Sequence, residues 1–162
     1  MIVFLDVDGV MHPVNQHDLF CREDHLARVL RDFPSVEIVI SSAWRETLTL
    51  RDIQTFFLTD LRSRIVGVTP VIEIRDAVDV PGVRLREINK YLVDTGNQHR
   101  RWVALDDAPE LFLPKKSRFG RQARRWRHCA TPSKKPLYLR EHRAGHARVL
   151  GSGGAAEAPP NQ

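Results

Sequence analysis

Two carboxylates stand one residue apart in VFLDVDGV, where Asp6 and Asp8 follow the apolar run Ile2 to Leu5 and Gly9 comes directly after. A second acidic pair, Asp106 and Asp107, ends WVALDD, and Ser41 ends VEIVIS. Carboxylates held close together repel one another, and burying them uncompensated costs roughly several kcal/mol. A hard divalent cation removes that repulsion. Mg2+ takes one or two carboxylates together with water and a substrate phosphate. The chemistry these residues suit is therefore metal-assisted work on a phosphate.

For that chemistry the elements must bring the residues together. Residues 2–6, 36–40, 64–68 and 102–107 read as continuous apolar strands. Between them, 24–33 places Leu26, Val29, Leu30 and Phe33 at helical spacing, 46–58 reads as a helix with Ile53, Phe56 and Phe57 inward, and a further helix runs from about Val83 to Val93. Such alternation predicts an α/β fold, with a parallel, Rossmann-like sheet covered on both faces in three layers. In an open sheet of this kind, ligands bind beyond the carboxyl ends of the strands. Asp6, Ser41, Asp106 and Asp107 all sit at such ends.

Taken singly, each signal has a plainer reading. Asp6-Val7-Asp8-Gly9 suits a turn after a strand, though not a calcium loop of the EF-hand kind, whose twelfth position would be Glu where this chain has His17. Ser41 or Ser42 suits a helix cap, and Asp106-Asp107 suits a cap for the turn at PELF. Trp44 and Arg45 read as core packing and a surface charge, or, for Arg45, as a substrate contact at the site mouth. His12 and His17 read as loop residues, with His12 close enough in sequence to touch substrate. The order of the motifs and their common place at strand ends are what favour a shared site.

In that order the motifs FLDVDGV…VISSAWR…REI…WVALDD resemble the haloacid dehalogenase-like (HAD) phosphohydrolase superfamily, over about residues 1–113. They look most like its small stand-alone domains and the HAD modules of some bacterial RNA-repair proteins. The resemblance implies a Mg2+-dependent phosphomonoester hydrolase. Asp6 would be the nucleophile that forms an aspartyl-phosphate, and Asp8 the general acid and then base. Asp6, the Asp8 carbonyl, Asp107 and neighbouring Asp106 would form the metal site, and Ser41 would bind a phosphoryl oxygen. Gly9, Ser42 and Arg45 would lie around the substrate. A phosphate-binding cation is also implied on the helix starting near Val83. Arg84 lies about 50° from the centre of that helix's apolar face, and Arg86 and Lys90 about 150° or more away. Arg84 is thus the candidate, and Arg86 and Lys90 read as solvated.

Charge divides the chain. Residues 1–113 carry 13 Lys and Arg against 18 Asp and Glu, and residues 114–162 carry 12 against 2. The expected organisation is a core at 1–113, a basic region at 114–150 that could complete the sheet, and a disordered tail at 151–162, rich in Gly, Ala and Pro. The basic stretch 114–148 suits a nucleic-acid contact, a solvated tail, or the product of a shift in reading frame. A nucleic-acid-binding module in which catalysis is incidental is therefore the second functional reading. Gly9 and Val36 are separated by 26 residues and Ser41 and Asp106 by 64, which the core elements nearly exhaust. Neither gap holds a folded cap, so the site is expected to be open to a bulky phosphorylated substrate, with a nucleotide or nucleic-acid end among the candidates. No apolar run approaches the ~20 residues of a membrane span, no signal peptide is legible, and the two cysteines suit a reducing cytoplasm.

Overall fold

Ile2, Val3, Phe4 and Leu5 are all buried and form the central strand β1 (Ile2–Leu5). The computed structural model describes residues 1–14, 17–77 and 79–112, together with the backbone of 128–129, 137–143 and 146–149. On one side β1 pairs in parallel with β2 (Glu37–Ile40), which in turn pairs with β3 (Ile65–Val68). On the other side it pairs in parallel with β4 (Trp102–Asp106). β5 (His128–Cys129), β6 (Leu137–Arg143) and β7 (His146–Val149) follow, with β6 antiparallel beside β4 and paired with both β5 and β7. The expected tail at 151–162 lies outside the described residues, as do 113–127 and 130–136.

Side chains alternate across a strand, and the two faces of the parallel sheet feed two separate cores. Val3, Leu5, Ile38 and Ile40 pack with Ala27 and Leu30 of α1 (Glu23–Arg31), Ile53 of α2 (Leu50–Thr55) and Leu61 of α3 (Thr59–Arg62). Ile2, Phe4, Val39, Trp102 and Ala104 pack with Ile88 and Leu92 of α4 (Val83–Asp94). The result is the expected three-layer α/β arrangement.

Two helices differ from the periodic reading. Val29 in α1 and Phe33 just beyond its end are more than half exposed, while Glu23, Ala27 and Leu30 face inward. The Glu23 carboxylate accepts a hydrogen bond from the Leu58 amide at 2.5 Å, a partner for a buried acidic residue on the inward face. The stretch 46–58 is not one helix. A short 3-10 turn spans Ala43–Glu46, and α2 then starts afresh at Thr49, whose hydroxyl and the Asp52 carboxylate cap each other's amides. Phe56, expected inward, is 41% exposed beyond the end of α2.

Candidate active site

The same alternation that builds the core against α4 also sets the site. Asp6 follows Phe4, Ser41 follows Val39 and Asp106 follows Ala104, so each continues the α4 face beyond the apolar part of its strand. Thr69 does likewise after Gly67, where an added Cβ would lie 3.0 Å from the Tyr91 hydroxyl of α4. Backbone bonds prolong the ladder to hold this row. The Asp6 amide donates to the Leu105 carbonyl, Ser41 to Leu5 and Thr69 to Ile40. Asp6, Ser41, Thr69 and Asp106 are all buried.

Asp6, Asp106 and Asp107 each turn a carboxylate oxygen to a common point, the three atoms lying within 4.8 Å of one another. The electrostatics are those of crowded anions in a dry place. Burial pushes the Asp6 carboxyl up from the usual carboxylate range. The Arg84 charge, the Ser42 hydroxyl and the Val7 amide oppose that rise, and Asp107 adds to it. Asp106 is pushed up to about 7, first by burial and then by the Asp6 charge. One Asp106 oxygen accepts from the Ala108 amide at 2.8 Å, a local turn bond rather than a cap, since the 3-10 turn Pro109–Leu111 has no side-chain cap, while its Oδ2 has no hydrogen-bond partner. Three converging carboxylates, one of them with an unsatisfied buried oxygen, fit a hard cation such as Mg2+. Gly9 belongs to this arrangement through its lack of a side chain. Its backbone has φ +78°, and a Cβ there would lie 2.1 Å from Asp107 Oδ2.

Arg84 faces the cluster from the first turn of α4, while Arg86 and Lys90 are exposed, Lys90 pairing with Asp94. Arg84 Nε lies 3.3 Å from Asp106 Oδ2, near enough for attraction but not aligned for a hydrogen bond, so both atoms lack a hydrogen-bond partner. Ser41 Oγ and Thr69 Oγ1 are likewise buried without one. Glu87, one turn along α4, anchors Arg84 at 3.1 Å and Arg45 at 2.6 Å. Arg45 is not the surface charge of its plainer reading, though it does line a cavity beside Arg84. Its side chain is 2% exposed. Besides Glu87 it donates to the carbonyls of Ser41, Ser42 and Thr69, tying the ends of β2 and β3 to α4. Burial lowers its pKa, and the Glu87 charge opposes that. Ser42 accepts from the Trp44 amide at 3.4 Å as the cap of the 3-10 turn, leaving Ser41 as the unpartnered hydroxyl.

Asp8 stands apart from the acidic cluster. Its side chain is 46% exposed, and its oxygens are held by His12 at 3.1 Å and by the Trp44 indole at 3.0 Å. A cavity of about 340 Å³, lined among others by Glu46, Val71, Ile74, Val83, Arg84 and Glu87, opens beside Arg84, with none of the four aspartates in its wall.

A family model described as the HAD domain in Swiss Army Knife RNA repair proteins matches residues 2–134. The chain belongs to this family. No curated protein and no solved structure matches it. The match runs past residue 113, where the charge balance changes. Among its site residues, Glu87, Thr69, His12 and Trp44 were not singled out with these roles by sequence reasoning. The i,i+3 spacing of Arg84 and Glu87 was a usable sign of their pairing. The clasp on Asp8 joins residues 4 and 36 positions apart, and no local pattern announces it.

Proposed function

We propose that this HAD domain is a Mg2+-dependent phosphomonoester hydrolase acting through an aspartyl-phosphate on Asp6, with a phosphorylated nucleotide or nucleic-acid end as substrate. The observation that carries this reading is the meeting, at one sheet edge, of the acidic triplet with two buried donors lacking partners, Ser41 Oγ and Arg84 Nε. An anionic tetrahedral group is what such donors would satisfy. Asp6 and Asp107, with Asp106 beside them and the Asp8 carbonyl, would hold the ion. When bound, Mg2+ neutralises charge on the phosphoryl oxygens and orients them.

In the first step an Asp6 oxygen forms a bond to phosphorus while the bond to the leaving oxygen breaks. Asp8 gives its proton to that oxygen. In the second, water attacks phosphorus and passes a proton to Asp8, and the Asp6–phosphorus bond breaks to release phosphate. Ser41 and Arg84 hold the phosphoryl oxygens through both steps.

The family's description and the absence of a folded cap among the described residues of 10–35 support a macromolecular phosphate end. The excess of 12 Lys and Arg over 2 Asp and Glu in residues 114–162 supports a nucleic-acid contact. Cys21, free and exposed, suits a reducing compartment such as the cytoplasm.

The test is turnover of p-nitrophenyl phosphate and of 3′- and 5′-phosphorylated oligonucleotides by wild type and Asp6→Asn, with Mg2+ or EDTA. Activity is expected to need Mg2+ and to fall about 10⁴-fold or more in Asp6→Asn. Turnover that persists in EDTA and in Asp6→Asn would overturn the mechanism. Salt-sensitive oligonucleotide binding with no turnover would favour the binding module instead.

A further inference from the structure

An aspartate whose side chain is nearly half exposed ordinarily turns freely in water. Asp8 does not. His12 Nε2 lies 3.1 Å from one of its carboxylate oxygens and Trp44 Nε1 lies 3.0 Å from the other. The indole nitrogen is only ever a donor. The His12 Nε2 faces a carboxylate oxygen, which accepts, and the Phe20 amide faces its Nδ1 at 3.5 Å, an arrangement that suits an imidazole donating from Nε2 toward Asp8.

Both grips are anchored by packing. His12 and Trp44 lie against Phe20, at centroid distances of 5.9 and 5.8 Å, and Trp44 meets Phe56 edge-on at 5.1 Å. Phe20 itself has φ +61°, left-handed backbone that a bulky side chain rarely adopts. That conformation accompanies the aiming of its amide at His12. The loop between is stitched further by an Arg22 Nη1 bond of 2.8 Å to the Gly9 carbonyl. His12 is 4% exposed at its side chain and is not in the acidic triplet, nor is Trp44.

We propose that His12 and Trp44 are positioning residues for Asp8, each holding one carboxylate oxygen so that the group faces the leaving oxygen of the substrate. A carboxylate oxygen has two lone-pair sites, so one grip on each leaves a free site for the transferred proton. The proposal rests on Asp8 being the general acid in the reaction above. It extends that reading by giving the acid a fixed direction, which aligned proton transfer needs.

The experiment compares kcat/KM for p-nitrophenyl phosphate with that for an alkyl phosphate, glycerol 2-phosphate, in the presence of Mg2+. This parameter reports steps up to the first irreversible one, transfer to Asp6. Nitrophenolate leaves without a proton, whereas an alkoxide needs one. His12→Leu and Trp44→Phe are expected to lose about 10–100-fold on glycerol 2-phosphate and about 3-fold or less on p-nitrophenyl phosphate. His12→Gln, whose amide can place a donor near the Nε2 position, is expected to recover most of the loss. Asp8→Asn is expected to show the same split, larger. Equal losses on both substrates in His12→Leu and Trp44→Phe, alongside a split in Asp8→Asn, would reduce the two residues to a structural role. No split in Asp8→Asn itself would remove the acid role, and the proposal with it.

Discussion

Gly9 leaves no room for a methyl group. Alanine there would put Cβ 2.1 Å from Asp107 Oδ2 and would hold a side chain at φ +78°. Gly9→Ala is therefore expected to destabilise the protein by about 1–2 kcal/mol from backbone strain and to displace Asp107, weakening Mg2+ binding. Urea unfolding and Mg2+ titration followed by calorimetry check the two effects. At this scale the acidic residues were legible because each closes an apolar strand, and alternation then decides which way it faces. Ser41 and Ser42 were not distinguishable by sequence, since they are chemically alike neighbours. The capping bond from the Trp44 amide to Ser42 separates them. Arg45 read as either a surface charge or a substrate contact because its partner, Glu87, lies on an element 42 positions away in the chain. Reading charge at the surface fails where a guanidinium has buried carbonyls and a carboxylate within reach.

Helix α4 serves the site as a carrier of charge as much as a cover for the sheet. Its inward turn presents Arg84 and Glu87, and Glu87 holds two guanidinium groups, with Arg45 on the far side. Removing one member of a buried ionic network leaves the others uncompensated. Glu87→Ala is expected to destabilise the fold by about 3–5 kcal/mol and to lower activity beyond what the lost stability explains, since Arg84 loses its anchor. Chemical denaturation checks the first, and assays well below the variant's melting temperature check the second. If Glu87→Ala melts like wild type, the network is not what fastens α4 to the ends of β2 and β3. The start of α4 at Val83 was legible from the apolar spacing. The break between the 3-10 turn and α2 was written in Thr49-x-x-Asp52 as well, but the inward reading of Phe56 and Phe57 obscured it. Only Phe57 of that pair is buried.

For the molecule as a whole, the acidic edge ties stability to pH. Asp6, Glu23 and Asp106 all have raised pKa values in the folded protein, burial being the first cause in each. The metal-free folded state thus keeps protons that the unfolded chain has released, from near the ordinary carboxylate values up to about 7 for Asp106. Stability from these groups must fall as pH rises through that window. In EDTA the thermal midpoint is expected to be several degrees higher near pH 5 than near pH 8, with Mg2+ recovering part of the difference at the higher pH. Differential scanning calorimetry measures this directly, and a midpoint in EDTA that rises toward pH 8 would contradict the sign. Among the described residues no helix is long and apolar enough to cross a membrane. The fold class was legible throughout because strand hydrophobicity and helix spacing are local. The direction of β6 was not, because an antiparallel neighbour beside β4 depends on how the chain returns.

Asp6 leaves the sheet from its innermost strand, laced to β2 on one flank and to β4 on the other. Its aim is therefore a property of the entire scaffold. A carboxylate mounted on a loop can drift while the rest of the protein stands, whereas this one can wander only when the sheet itself comes apart.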